Sequence, residues 1–244
     1  MIDPIFHLNP TKSASSFAAC QFIFSRYDQK KVENREFDMF MSGGNTPVEC
    51  YAFLVKNLGR RDIHFFQVDE RWVESTSPRS NQKMIKEILG STTTITEMMT
   101  PELGYEIEQA SNHYNEILLK FQKDRNYLFG IFGMGEDGHT ASLFPQIYDI
   151  NETSLATWYF VPQQDEFRLT ITPSFISKFD AKLLLINGKG KGTALASALN
   201  ENDFNQFPVL NLFKSECHVF LDQDAFSAFK THFKRIIKLS DSNN

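Results

Sequence analysis

The sequence predicts an α/β fold, a mostly parallel sheet covered by helices on both faces. Three observations carry it. Short apolar runs alternate with segments of helical periodicity along most of the chain. The runs are apolar throughout rather than alternating, which marks strands buried on both faces, as parallel strands between helices are. Nine of the 12 glycines fall in three clusters (43–44, 130–138 and 188–192), each at the carboxyl end of such a run. An open α/β sheet binds ligands beyond the carboxyl ends of its strands, so chemistry is expected at those clusters.

Taken in order, Phe37–Met41 reads as a strand and 47–58 as the helix after it. The strand 63–68 leads to the helix Asn81–Leu89. A helix over 106–121 puts Ala110, Tyr114, Ile117, Leu118 and Phe121 on one face. Tyr127–Phe132 follows as a strand, and the strand 182–186, helix 191–199, strand 218–221 and helix 224–237 close the series. No repeat, low-complexity tract or Pro/Ser-rich linker divides the chain, so a single α/β domain over 1–244 is expected.

Composition narrows the function. The 244 residues carry 25 Lys+Arg against 30 Asp+Glu, a formal charge of −5. Nucleic-acid binding needs clustered cations, and no long basic run exists, so nucleic acid is not an expected partner. A small phosphorylated ligand, which needs only a few local cations, stays open. No stretch approaches the roughly 18 apolar residues of a membrane span. The start, Met1-Ile2-Asp3-Pro4, lacks the basic and apolar regions of a secretion signal. Cys20, Cys50 and Cys217 are odd in number and lie among apolar residues. They read as buried thiols of a reducing compartment, so a cytoplasmic protein is expected. The 24 Phe residues are scattered and read as core filler.

The first strand-end loop is Ser42-Gly43-Gly44-Asn45-Thr46-Pro47-Val48-Glu49. Thr46 is a candidate N-cap, Pro47 suits the first helical position, and Glu49 completes a capping box. Glycines before a helix N-terminus let backbone N–H groups approach an anion. No Walker Gly-Lys-Ser/Thr follows. The second loop reads Asp69-Glu70-Arg71-Trp72-Val73. Asp69 and Arg71 point away from Glu70 and can share a cleft, with Ser80-Asn81 opening the next helix nearby.

The third loop is Gly133-Met134-Gly135-Glu136-Asp137-Gly138-His139-Thr140-Ala141-Ser142-Leu143-Phe144-Pro145. It matches G-x-G-x-x-G, but Pro145 would break the helix a dinucleotide site needs, and no acid-ending strand follows about 20 residues on. His139 sits instead in a sterically open loop two residues from Asp137, the setting of a general base with an orienting carboxylate. Arg168, heading Arg168-Leu169-Thr170-Ile171-Thr172, reads as a surface cation. Lys191, within Gly188-Lys189-Gly190-Lys191-Gly192, belongs to an anion-friendly loop opening a helix. No G-x-S-x-G elbow is present. His7, His64, His113, His218 and His232 read as isolated, with no zinc-ligand spacing.

Together these segments resemble the 6-phosphogluconolactonase family. The similarity rests on SGGNTP at 42–47, DERWV at 69–73 with SN at 80–81, GMGEDGHTASLFP at 133–145, RLTIT at 168–172, GKGKG at 188–192 and FLDQDA at 220–225. Asn45 stands where the family more often has Ser, 73–79 lacks the family's common Pro directly after the Val, and 146–160 follows no family pattern. The resemblance implies a Rossmann-like α/β fold, as in sugar-phosphate isomerases and deaminases. It also implies hydrolysis of 6-phosphogluconolactone in the oxidative pentose phosphate pathway, with no organic cofactor; the spacing of the histidines and cysteines gives no metal site. The expected partner is a small phosphorylated sugar lactone, with no nucleic acid and no membrane; a monomer is the default, the sequence being silent on oligomeric state.

His139 would activate water, with Asp137 orienting it and Arg71 or loop N–H groups facing the oxyanion. Asp69 is the further candidate base. Gly43, Gly44, Asn45, Thr46, Arg168 and Lys191 would hold the phosphate. The nearest rival is glucosamine-6-phosphate deaminase. That family has Phe-Asn-Glu-Pro where this chain has Leu143-Phe144-Pro145, and Asp-Glu-Tyr where it has Asp69-Glu70-Arg71. A non-catalytic sugar-phosphate sensor is the third reading.

Overall fold

In chain order the strands are β1 (Ile5–Asn9), β2 (Phe37–Met41), β3 (His64–Gln67), β4 (Asp69–Arg71) and β5 (Ile95–Thr96), then β6 (Tyr127–Phe132), β7 (Ala156–Val161), β8 (Glu166–Ile171), β9 (Ala181–Ile186) and β10 (Cys217–Asp222). The helices are α1 (Lys12–Val32), α2 (Val48–Asn57), α3 (Asn81–Leu89), α4 (Ile107–Phe121), α5 (Pro173–Ile176), α6 (Lys189–Glu201) and α7 (Gln223–His232). The computed structural model describes residues 2–90, 95–121 and 126–234, so positions 235–237 of the helix expected over 224–237 lie outside the described residues.

Among the described residues, seven strands form one sheet in the order β1-β10-β9-β6-β2-β3-β5, every pair parallel. Alternate strand residues feed two cores. Met39, Phe65, Phe129 and Leu183 pack with Cys20 and Ile23 of α1, Tyr51 of α2 and Ile85 of α3. Phe40, Phe66, Phe132 and Leu184 pack with Tyr114 of α4, Phe175 of α5, Leu195 of α6 and Phe229 of α7. Helices therefore cover both faces, and the α/β expectation holds. No described helix is long and apolar enough to cross a membrane. All three cysteines are buried free thiols.

The chain steps from β2 outward to β3 and β5, then returns to place β6 on the other side of β2. That reversal opens a crevice at the carboxyl ends of β2 and β6, where loops 42–47 and 133–145 emerge.

Several elements depart from the sequence reading. Helix α1 escaped it because its buried face is Ser15, Ser16, Ala19, Cys20, Ile23 and Tyr27, too small and polar to stand out as an apolar stripe. Residues 69–71 are not a loop but strand β4, in a second, antiparallel sheet β4-β8-β7 with Arg71 opposite Arg168. Helix α6 starts at Lys189, two residues before the expected start at Lys191, so Lys191 lies inside its first turn. Helix α2 starts at Val48 with no side-chain cap, so Thr46 is not its N-cap. His7 and His218 are not isolated: Nε2 of one lies 2.9 Å from Nδ1 of the other.

Candidate active site

The crevice holds a cleft of about 250 Å³ lined by Gly43, Gly44, Asn45 and Thr46 from the loop after β2, by Asp69 and Arg71 of β4, and by His139, Arg168 and Lys191. Nine of the ten residues singled out in the sequence thus meet in one space; the tenth, Asp137, stands behind His139.

Loop 133–145 closes on itself before it offers its histidine. Gly135 N donates to His139 O at 2.9 Å, and the Thr140 hydroxyl donates to Gly133 O at 2.8 Å. Glycine at 135 is a steric necessity: a Cβ there would lie 2.3 Å from both Asp137 Oδ1 and His139 Nδ1. His139 Nδ1 lies 2.6 Å from Asp137 Oδ1. A carboxylate only accepts, so Nδ1 carries the proton and Nε2 is the basic nitrogen. Burial by itself raises the Asp137 carboxyl, but its hydrogen bonds with His139 and the charge of that ring outweigh burial and lower it. Phe144 stacks on the imidazole with ring centroids 4.4 Å apart, covering one face of the ring while its hydrogen bond lies in the ring plane.

Strand β4 alternates as expected. Asp69 and Arg71 face the cleft, while Glu70 turns inward and accepts from the backbone N–H groups of Asn81 (2.7 Å) and Gln82 (2.6 Å) at the start of α3. Burial raises the Glu70 carboxyl, and these N–H donors pull against that rise. Ser142 donates to Asp69 Oδ2 at 2.7 Å. Asn81 joins the two cleft-facing residues: its Nδ2 donates to Asp69 O at 3.0 Å and its Oδ1 accepts from Arg71 Nη1 at 2.5 Å. Gly43 allows this close approach, since a Cβ there would sit 1.8 Å from Asn81 Oδ1.

Arg168 corrects the surface-cation reading: it is 6% exposed. Burial lowers its pKa, with Asp69 and Glu166 pulling the other way. On β8, residues 166, 168 and 170 share the cleft-side face, so the polar positions of the run are the inward ones. Lys191 reaches across the crevice to donate to the Thr46 hydroxyl at 2.6 Å. Burial lowers its pKa while Glu136 opposes the change. Cations therefore occupy two parts of the cleft wall, Lys191 beside the glycine loop and the Arg71–Arg168 pair on the small sheet. Sequence reasoning missed Gln164, which lines the cleft and accepts from Arg168 Nη2. It lies outside every motif, and no local signal marked it. No group of three or more His, Cys, Asp or Glu side chains gathers as a metal site among the described residues.

An oriented imidazole, an anchored carboxylate and cations around one polar cleft suit hydrolysis of a small anionic substrate by activated water. Comparison with known proteins shows which family the chain resembles. A family model described as glucosamine-6-phosphate isomerases/6-phosphogluconolactonase matches residues 10–220. Over 198 residues the chain is 31% identical to the 6-phosphogluconolactonase of Synechocystis sp., covering 76% of this chain and 81% of that protein. It is 28% identical to the 6-phosphogluconolactonase of Xylella fastidiosa, over 74% of this chain and 79% of the other. Its fold is similar to the crystal structure of a 6-phosphogluconolactonase from Shewanella baltica (TM-score 0.79, 24% identity, 90% of this chain and 98% of that one).

Proposed function

The chain belongs to the glucosamine-6-phosphate isomerase/6-phosphogluconolactonase family, and we propose that within it the chain hydrolyses 6-phospho-D-glucono-1,5-lactone to 6-phosphogluconate, the second step of the oxidative pentose phosphate pathway. The observation that carries this reading is the His139 imidazole, held through Nδ1 by Asp137 and stacked on Phe144. An aromatic ring there offers no proton-relaying acid for opening an amino sugar, whereas a lactone needs only an activated water.

In the proposed reaction His139 Nε2 takes a proton from water as the water oxygen bonds to the lactone carbonyl carbon. The proton then passes to the ring oxygen as its bond to that carbon breaks. Asp137 orients the ring and stabilises the imidazolium, and Arg71 or loop N–H groups face the developing oxyanion. The Gly43–Thr46 backbone, Lys191 and Arg168 hold the phosphate and so fix the distant carbonyl against the base. Asp69, anchored by Ser142, is the remaining carboxylate within the cleft.

The test supplies 6-phosphogluconolactone and glucosamine 6-phosphate separately and follows acid release and ammonia release. Lactone opening faster than the spontaneous rate, without added metal or nucleotide, is the expected outcome. Ammonia release with no lactone acceleration overturns the reading in favour of a deaminase; neither activity leaves a sugar-phosphate-binding domain.

A further inference from the structure

Glu166 belongs to none of the sequence motifs, yet it is 5% exposed at the start of β8. A buried carboxylate is costly unless it is paired, and here it meets two arginines. Its Oε1 lies 2.7 Å from Arg168 Nε. Its Oε2 is paired with Arg79, which arrives from the segment between β4 and α3. With Gln164 on Nη2 and the Glu166 carboxylate beside Nε as an ion pair rather than an aligned hydrogen bond, one edge of the Arg168 guanidinium is occupied, and Nη1 has no protein partner among the described residues. Arg79 also reaches the second cleft arginine, since its backbone carbonyl accepts from Arg71 Nη1 at 2.8 Å. Arg71 and Arg168 face each other across paired strands, where like charges repel unless carboxylates lie between or behind them. Asp69 and Glu166 supply that compensation.

We propose that Glu166 is a positioning residue: clasped between Arg79 and Arg168, it holds the Arg168 guanidinium at the cleft wall, so that Arg168 and Arg71 present one anion-binding edge to a phosphorylated ligand. This deepens the lactonase reading and rests on it for the identity of the substrate. Glu166 touches no reacting atom; its influence passes through Arg168.

The test is a double-mutant cycle between Glu166→Gln and Arg168→Ala in the full chain. It is read by KM and kcat for 6-phosphogluconolactone and, independently of turnover, by titration with 6-phosphogluconate. Glu166→Gln is expected to raise KM and weaken product binding about 10- to 100-fold, the scale of one lost charge-assisted hydrogen bond, with kcat little changed. In the Arg168→Ala background the same substitution should add almost nothing. Arg79→Ala, at the exposed end of the clasp, should weaken binding in the same direction and serves where the buried substitution unfolds the chain.

Unchanged binding in folded Glu166→Gln and Arg79→Ala overturns the proposal. So does an equal loss in the Arg168→Ala background, which would make Glu166 only a structural support. A wild-type protein that binds 6-phosphogluconate but opens no lactone sinks the lactonase reading alone, because the binding cycle still decides the role of Glu166.

Discussion

His139 owes its chemical character to three neighbours: Asp137 on Nδ1, Phe144 against the ring, and Gly135, whose missing side chain lets the pair form. Substituting His139→Asn removes the base but leaves the phosphate contacts on other loops. Turnover of the lactone is expected to fall about 10²- to 10⁴-fold while 6-phosphogluconate still binds. A folded variant with near-normal turnover would pass the role to Asp69 or Asp137. If binding and melting temperature fall together with rate, the histidine is loop packing. The Asp137–His139 pair was legible because it spans only two residues. The anchor of Asp69 was not, since Ser142 lies 73 residues away and becomes its neighbour only when β4 pairs with β8.

At the scale of elements, the two helices that border the glycine loop are begun in different ways. Helix α3 is capped twice, by Ser80, whose hydroxyl accepts from Lys83 N at 3.1 Å, and by Glu70 from a different strand. Helix α2 has no side-chain cap: Pro47 stands at the cap position, and the Thr46 hydroxyl, one residue earlier, accepts from the Lys191 ammonium of α6. The capping box was a sound local reading, but the helix begins one residue later and Thr46 bonds a residue 145 positions away. The cost of an uncapped helix, about 1 kcal/mol, is small beside what a positioned cation can add to phosphate binding. Lys191→Ala is accordingly expected to weaken 6-phosphogluconate binding by about 1.5–3 kcal/mol, measured by isothermal titration. Unchanged affinity would remove Lys191 from the site and leave the phosphate to the arginine pair.

Over the whole molecule, the far side of the sheet carries its own titration. His7 of β1 stacks on Phe220 of β10 at 4.3 Å and pairs with His218, which in turn lies 3.0 Å from Glu216. Burial first, and the neighbouring His218 second, push His7 down to about 4 from 6.5. Its unfolded value is about 6.5. Between these values the unfolded chain binds a proton that the folded chain refuses, so stability is intact above about pH 6.5 and is lost as pH falls toward 4. Denaturant midpoints across that window should fall less steeply for His7→Gln than for the wild type; parallel curves would acquit His7.

Local composition and spacing set the periodicities, and with them the buried parallel strands, most of the covering helices and the edge where glycine and histidine loops gather. These are local properties, set by backbone preferences and by spacings of two or about 3.6 residues. Which loops meet is set by how the strands are ordered in the sheet. The order β9-β6-β2-β3 brings 42–46, 133–145 and Lys191 together, and the antiparallel sheet sets Arg168 opposite Arg71 and brings Arg79 to Glu166. Such contacts join residues far apart in the chain, and no local preference encodes them. They form because closing those long loops is offset by burying both faces of the sheet at once.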